Sequence, residues 1–328
     1  MLRMNEEEPV VPLVDAHCHV LTNPSKVEPE HELSNHRISR ALMSNNPYDW
    51  NRLQSTQFEG NDRNLPQYKG FGIHPWYSHL FTLDHNKTLT KDEHYRQVLI
   101  FKQTDDTILS NLIQNVLPDP VYIEDYISKI DFNKVDLIGE IGLDKSFSVP
   151  SNGFYQGHDS NNIITNTRIK VSMDHQLKIF NRMLQLACVH SLNVSLHDVN
   201  CHMKLLDTCQ QHLLKNPAIN ICLHSYTGSI DFLLTQWIKT FTEDRIFLSV
   251  SQYINFKKIE GNIDYSQVPQ KCILTETDYI VDSNNITDIF LQDSLKNTLE
   301  NLTNVIPLAS SQDTRKLVYE NFCRFMHT

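Results

Sequence analysis

Nowhere does the sequence offer a run approaching the ~18 consecutive apolar residues of a membrane span, which excludes a helical membrane protein. The N-terminal stretch MLRMNEEEPVV carries three glutamates and no apolar segment, so it does not read as a secretory signal. There is no C-x-x-C pair. The cysteines, Cys18, Cys188, Cys201, Cys209, Cys222, Cys272 and Cys323, are scattered and odd in number. That argues against a disulfide framework and fits reduced thiols in the cytoplasm or nucleus. Basic residues are in the minority, 29 Lys and Arg against 39 Asp and Glu, for a net charge of −10. A nucleic-acid scaffold that works by displacing counterions with a broad cationic surface is therefore disfavoured. An enzyme acting on nucleic acid is not, because metal charge can attract a phosphate locally. No internal repeat and no low-complexity tract occurs.

Hydrophobic residues make up 40% and charged residues 21% of the 328 positions, a globular composition. Short apolar runs alternate with amphipathic stretches. Eight runs read as strands: Val11–His17, Arg40–Ser44, Tyr68–Ile73, Val135–Glu140, Asn193–His197, Ile219–His224, Arg245–Val250 and Lys271–Thr275. Between them, Asp174–Ser191, Ser229–Thr242 and Asp313–Met326 read as helices, the first with Leu177, Phe180, Leu184 and Ala187 on one stripe and Asp174 and Asp313 as N-caps. Eight strands alternating with helices predict a (β/α)8 TIM barrel in one domain spanning 1–328, a fold that runs from about 200 to over 400 residues. Two stretches exceed a minimal barrel. Phe81–Lys129 is polar and mixed, and Lys145–Lys170 is rich in Asn, Ser and Gly, as in a surface loop. They either shape a substrate cleft or are solvated insertions with no role.

The chemistry lies at the strand ends. In D-A-H-C-H, strand alternation points His17 and His19 the same way. Glu140 ends VDLIGE, His197 ends NVSLH, His224 ends INICLH, and Asp278 follows KCILTET. A barrel gathers these ends into one ring on the face where barrel active sites sit. Four imidazoles with two carboxylates form a mixed nitrogen and oxygen donor set, suited to Zn²⁺ or Mn²⁺ and less to Mg²⁺. Six ligands exceed the needs of one catalytic ion and suit two divalent ions sharing a carboxylate. The helix residues His175, His190, His202 and His212 read as surface or interface positions.

These blocks together resemble the TatD-type metal-dependent deoxyribonucleases of the amidohydrolase superfamily. The resemblance runs through D-A-H-C-H at 15–19, G-F-G-I-H-P-W at 70–76, G-E-I-G-L-D at 139–144, L-H-D at 196–198, L-H-S-Y-T-G-S at 223–229 and T-E-T-D at 275–278. The segment LDKSFSVP at 143–150 also resembles a fungal TatD-like subgroup. The resemblance implies that His17, His19 and Asp278 hold one ion, that His197 and His224 hold the other, and that Glu140 bridges them. It implies that Asp278 steers the attacking water and that His74 contacts a substrate phosphate. The implied activity is cleavage of DNA phosphodiesters, often from the 3′ end; the net charge of −10, with metal charge enough to hold a phosphate locally, points to single strands or free ends as the substrate. Some members have other hydrolytic activities, including removal of D-amino acids from tRNA.

Three positions depart from the family pattern. Asp198-Val199 stands where Ser-Arg is common, Tyr279-Ile280 where Ala-Pro or Ser-Pro is common, and the 81–129 insertion is longer than usual. Loss of the arginine removes a phosphate partner. Trp76 either stacks a base or packs at the rim. Lys145 either reaches a phosphate or is simply solvated. Asp144 reads as a support holding a ligand imidazole. Two other functions stay open: a hydrolase of a different ester or amide bond, and a non-catalytic partner-binding barrel.

Overall fold

The structure is a computed structural model that describes residues 11–22, 32–33, 37–58, 65–155, 167–258, 264–308 and 310–327. Each apolar run forms a strand: β1 Leu13–His19, β2 Ile38–Met43, β3 Gln67–Phe71, β4 Leu137–Asp144, β5 Asn193–Val199, β6 Ile221–Leu223, β7 Ile246–Ser251 and β8 Ile273–Glu276. Neighbours pair in chain order and all in parallel. Every residue of β1, β2, β4, β7 and β8 is buried. This is the burial expected when helices cover the outer face of a parallel sheet, and it explains why these strands read as continuous apolar runs.

Three strands run two or more residues past their expected ends. β1 reaches His19, β4 reaches Asp144 and β5 reaches Val199, because pairing continues through the polar residues: His197 lies opposite Gly142 and Val199 opposite Asp144. The first and last strands meet through a mixed seam. Thr275 Oγ1 donates to Val14 O (2.7 Å), Thr277 N to Asp15 Oδ1 (2.8 Å), Asp278 N to His17 O (3.0 Å) and His19 N to Tyr279 O (2.8 Å). The segment after β8 thereby closes the barrel and carries Asp278 beside β1.

Helix α1 (Pro47–Ser55) follows β2. On α5 (Met173–His190), Phe180, Leu184 and Ala187 are buried and Leu177 packs partly against the core. Ser172 caps α5 by accepting from His175 N, and Ser310 caps the last helix (Ser311–Met326) by accepting from Asp313 N. Asp174 and Asp313, expected as caps, lie instead within the first turn, where their charge favours the helix N-terminus. The expected helix at 229–242 is interrupted, with a π segment Leu233–Ile238 between the helical turns Ile230–Phe232 and Lys239–Phe241.

The two insertions are more ordered than polar composition suggested. Within 81–129 lie α2 (Lys91–Val98), α3 (Asp106–Asn115) and α4 (Ile123–Ile127). Strand Lys170–Val171 pairs antiparallel with Leu99–Ile100, and Tyr95, Leu109, Leu112 and Ile113 bury with Val149, Ile169 and Val171 in a small second core. Its apolar residues come from two separated segments, so neither segment shows the full pattern alone. The surface-loop reading of 145–170 is corrected at both ends, and its part at 156–166 lies outside the described residues.

Candidate metal centre

Two glycines let the strands approach closely enough to build the site. A Cβ on Gly72 would lie 2.4 Å from both Glu140 N and Glu140 O, and one on Gly142 would lie 2.0 Å from His197 O, with Gly142 at φ +153°. These are the close-contact positions of the GFGIHPW and GEIGLD blocks. Ser44 O receives Glu140 N (3.0 Å), which fixes that backbone from β2.

Around the buried Glu140 carboxylate stand five imidazoles. On Oε2 are His17 Nε2 (3.3 Å) and His19 Nε2 (3.4 Å). On Oε1 are His74 Nε2 (3.1 Å), His197 Nδ1 (2.7 Å) and His224 Nε2 (2.8 Å). Asp278 Oδ1 lies 3.3 Å from His19 Nε2. The six residues expected as ligands therefore converge, and His74 joins them, with Nε2 3.2 Å from His197 Nδ1. Donor atoms of His17, His224 and Asp278, of His17, His19 and Glu140, and of His74, Glu140 and His197 fall within 4.8 Å of one another in each group. Ring nitrogens this close present lone pairs to one another unless a proton or a cation lies between them. That fits a divalent-ion site with nitrogen and carboxylate donors.

Charge follows from the same crowding. Burial alone would raise Glu140, but His74, His224 and His17 outweigh it and hold the carboxyl well below its usual range. Burial would raise Asp278 too, and its hydrogen bond to His19 with the charge of His224 overcomes that and keeps it low. Burial would lower His197, yet Asp144 and Glu140 push it up to about 9. His74, with burial dominant, drops to about 4.

Behind the imidazoles sits a supporting layer. Ser195 Oγ is 2.8 Å from His17 Nδ1, and Asn45 Nδ2 is 3.2 Å from His19 Nδ1. Asp144 Oδ2 is 3.2 Å from His197 Nε2 and accepts from Trp76 Nε1 at 2.6 Å. Trp76 is half-buried and stacks on Phe147 with centroids 4.4 Å apart, so one face of its indole is already covered. Lys145 is exposed, and its carbonyl accepts from Lys170 Nζ (3.1 Å). At the departures from the family pattern, Asp198 Oδ2 holds His202 Nδ1 at 2.7 Å, and the Tyr279 ring meets Phe290 edge-on at 5.1 Å.

Sequence reasoning passed over Glu276, Ser195, Asn45 and Asp15. The available signal for Glu276 was its place two residues before Asp278. Ser195 was signalled by strand alternation with His197. Asn45 lies on a loop whose path only the fold sets. Sequence reasoning also misplaced His175. That ring is buried, and its Nε2 lies 2.9 Å from Ser78 O, because α5 packs its first turn on the Pro75–Leu80 turn rather than facing solvent.

A family model described as TatD related DNase matches residues 14–327. A protein of Saccharomyces cerevisiae named as an uncharacterized deoxyribonuclease is 42% identical over 322 residues, covering 96% of this chain and 99% of its own. The Cut9-interacting protein scn1 of Schizosaccharomyces pombe is 27% identical over 299 residues, covering 81% of this chain and 86% of its own. The solved structure of YJJV, a TatD homolog from Escherichia coli K12, matches with a TM-score of 0.54 at 15% identity over 98% of this chain and 100% of that one, a likeness of fold. Among the described residues no helix is long and apolar enough to cross a membrane.

Proposed function

The chain belongs to the TatD-related DNase family, and from that premise we propose that it hydrolyses phosphodiester bonds of DNA, acting on single strands or free ends from the 3′ side. The observation that carries the reading is the convergence of five imidazoles and two carboxylates at the C-terminal ends of the barrel strands. His17, His19 and Asp278 would hold one divalent ion and His197 and His224 a second, with Glu140 as a further ligand. When bound, such a pair of ions neutralises phosphoryl oxygens and lowers the pKa of an attacking water.

The protein's own groups do the rest. Asp278 is the more accessible of the two carboxylates, with 19% side-chain exposure against 3% for Glu140. Held ionised by His19, it accepts the proton of the water. Glu140 stays buried and ionised, and orients the rings around it. His74, kept neutral by burial, contacts the scissile phosphate through Nε2. Asp144 fixes the ring of His197 and, through Trp76 Nε1, ties the aromatic wall to the site. Trp76, partly exposed beside the site, would offer a base a surface to stack on.

The test uses a labelled single strand and its duplex, incubated with the protein and Mg²⁺, Mn²⁺ or Zn²⁺, beside Glu140→Gln purified identically. Metal-dependent cleavage lost in the variant is expected. Cleavage that persists in the variant, or none with any metal while a carboxylic ester is hydrolysed, overturns the reading.

A further inference from the structure

His224 lies between two carboxylates. Its Nε2 is 2.8 Å from Glu140 Oε1, on the side of the proposed ions, and its Nδ1 is 3.6 Å from Glu276 Oε1 on the other. His224 Nδ1 is buried and makes no hydrogen bond among the described residues, so the Glu276 carboxylate stands just beyond hydrogen-bond reach of it. Glu276 is wholly buried at the end of β8, and nothing proposed for hydrolysis uses it. Both its oxygens are oriented: Ser225 Oγ donates to Oε1 and Ser249 Oγ to Oε2. Three elements thus aim one buried carboxylate at the back of one imidazole. Ser225 follows β6, Ser249 belongs to β7 and Glu276 ends β8.

An imidazole that binds a cation through Nε2 must carry its proton on Nδ1, and that proton needs an acceptor. Asp144 plays the matching part behind His197, at 3.2 Å. Behind His17 and His19 the nearest side-chain groups are neutral, Ser195 and Asn45. The two imidazoles of one proposed ion are thus backed by carboxylates and those of the other are not.

We propose that Glu276 is a positioning residue that fixes the Nδ1–H tautomer of His224, and that with Asp144 it makes the His197 and His224 site the tighter of the two. The inference rests on the metal-centre reading. Loss of an outer carboxylate of this kind weakens metal binding about 10- to 100-fold. A carboxylate that merely joins β6, β7 and β8 would alter the stability of the metal-free protein and leave both affinities alone.

The experiment titrates Zn²⁺ against a chromophoric chelator in the full chain, for the wild type, Glu276→Gln and His224→Ala. The zinc-loaded wild type is also read by ring ¹⁵N NMR, with the His224 signals assigned by their loss in His224→Ala. Two unequal steps are expected, with Glu276→Gln weakening the tighter step about 10- to 100-fold and leaving the other within a few-fold. The NMR is expected to show a proton on Nδ1 of His224, a readout that holds even where Glu276→Gln fails to fold. Zinc binding unchanged in His224→Ala overturns the metal-centre reading and this inference with it. Loss of a step in His224→Ala with wild-type binding in Glu276→Gln, or a His224 that carries its proton on Nε2, overturns this inference alone.

Discussion

Gly72→Ala is the sharpest test of how the barrel places its central carboxylate. The new Cβ would lie 2.4 Å from Glu140 N and O and 2.5 Å from Gly139 C, all backbone atoms. Non-bonded carbon contacts settle near 3.5–4.0 Å, so about 1 Å must open between β3 and β4. Glu140 N is held by Ser44 O at 3.0 Å, and Gly72 N donates to Ser44 Oγ at 2.9 Å. Opening the gap strains both bonds. Overpacking costs about 1–3 kcal/mol and each weakened hydrogen bond about 1 kcal/mol more. For a chain of this size that lowers Tm by roughly 5–10 °C. The functional loss is larger, because a misplacement of about 1 Å at a catalytic group costs on the order of 100-fold in rate. Calorimetry, bound-metal analysis and DNA turnover on the same preparation measure all three. Wild-type metal content together with turnover within a few-fold would refute the claim that the close approach at Gly72 positions Glu140.

Asp278→Asn should lower turnover by about 1000-fold, the scale of a lost general base, while the protein stays folded. Asn tolerates the φ of +58° at this position and keeps the N–H bond to His17 O, so an unfolded variant or near-normal activity would each contradict the argument. Burial lowers His79 to about 3 and His175 to about 4, so the folded protein keeps both rings neutral while the unfolded chain protonates below its ordinary value of 6.5. Their contribution is complete above pH 6.5 and is lost as pH falls toward 4, at up to about 1.4 kcal/mol per pH unit for each ring. In metal-free protein, His79→Leu should therefore make the slope of stability against pH shallower by about one proton in denaturant titrations, and identical slopes would exclude the effect. With a net charge of −10, DNA contact should span few phosphates, giving a shallow dependence of KM on salt. A steep dependence, equivalent to six or more phosphates, roughly the count of an extended duplex contact, would point to a cationic surface that this composition does not provide.

The sequence by itself determined the strands, because a run buried on both faces of a parallel sheet must be apolar along its length and stands out at any register. It singled out, as well, the six residues whose side chains converge around Glu140. A buried histidine or carboxylate that ends an apolar strand costs too much to keep without a partner. Even the departures Asp198-Val199 and Tyr279-Ile280 were legible as changes. What Asp198 does there was not, since its pairing with His202 depends on the turn into the following helix. Tertiary structure alone decided the remainder. Glu276, Ser225 and Ser249 come from three strand ends, and their convergence on His224 has no local signature. His175 looks like a surface residue of an amphipathic helix until its ring is found against the carbonyl of Ser78, as the ring of His94 lies against that of His79. The second core joins Tyr95 and Leu112 to Val149 and Ile169 across more than thirty residues of chain, so no window of sequence contains its pattern. Local pattern reports what one segment must bury, whereas contacts between distant segments are set by the closure of the barrel, which brings β8 back to β1 and the strand ends into one ring.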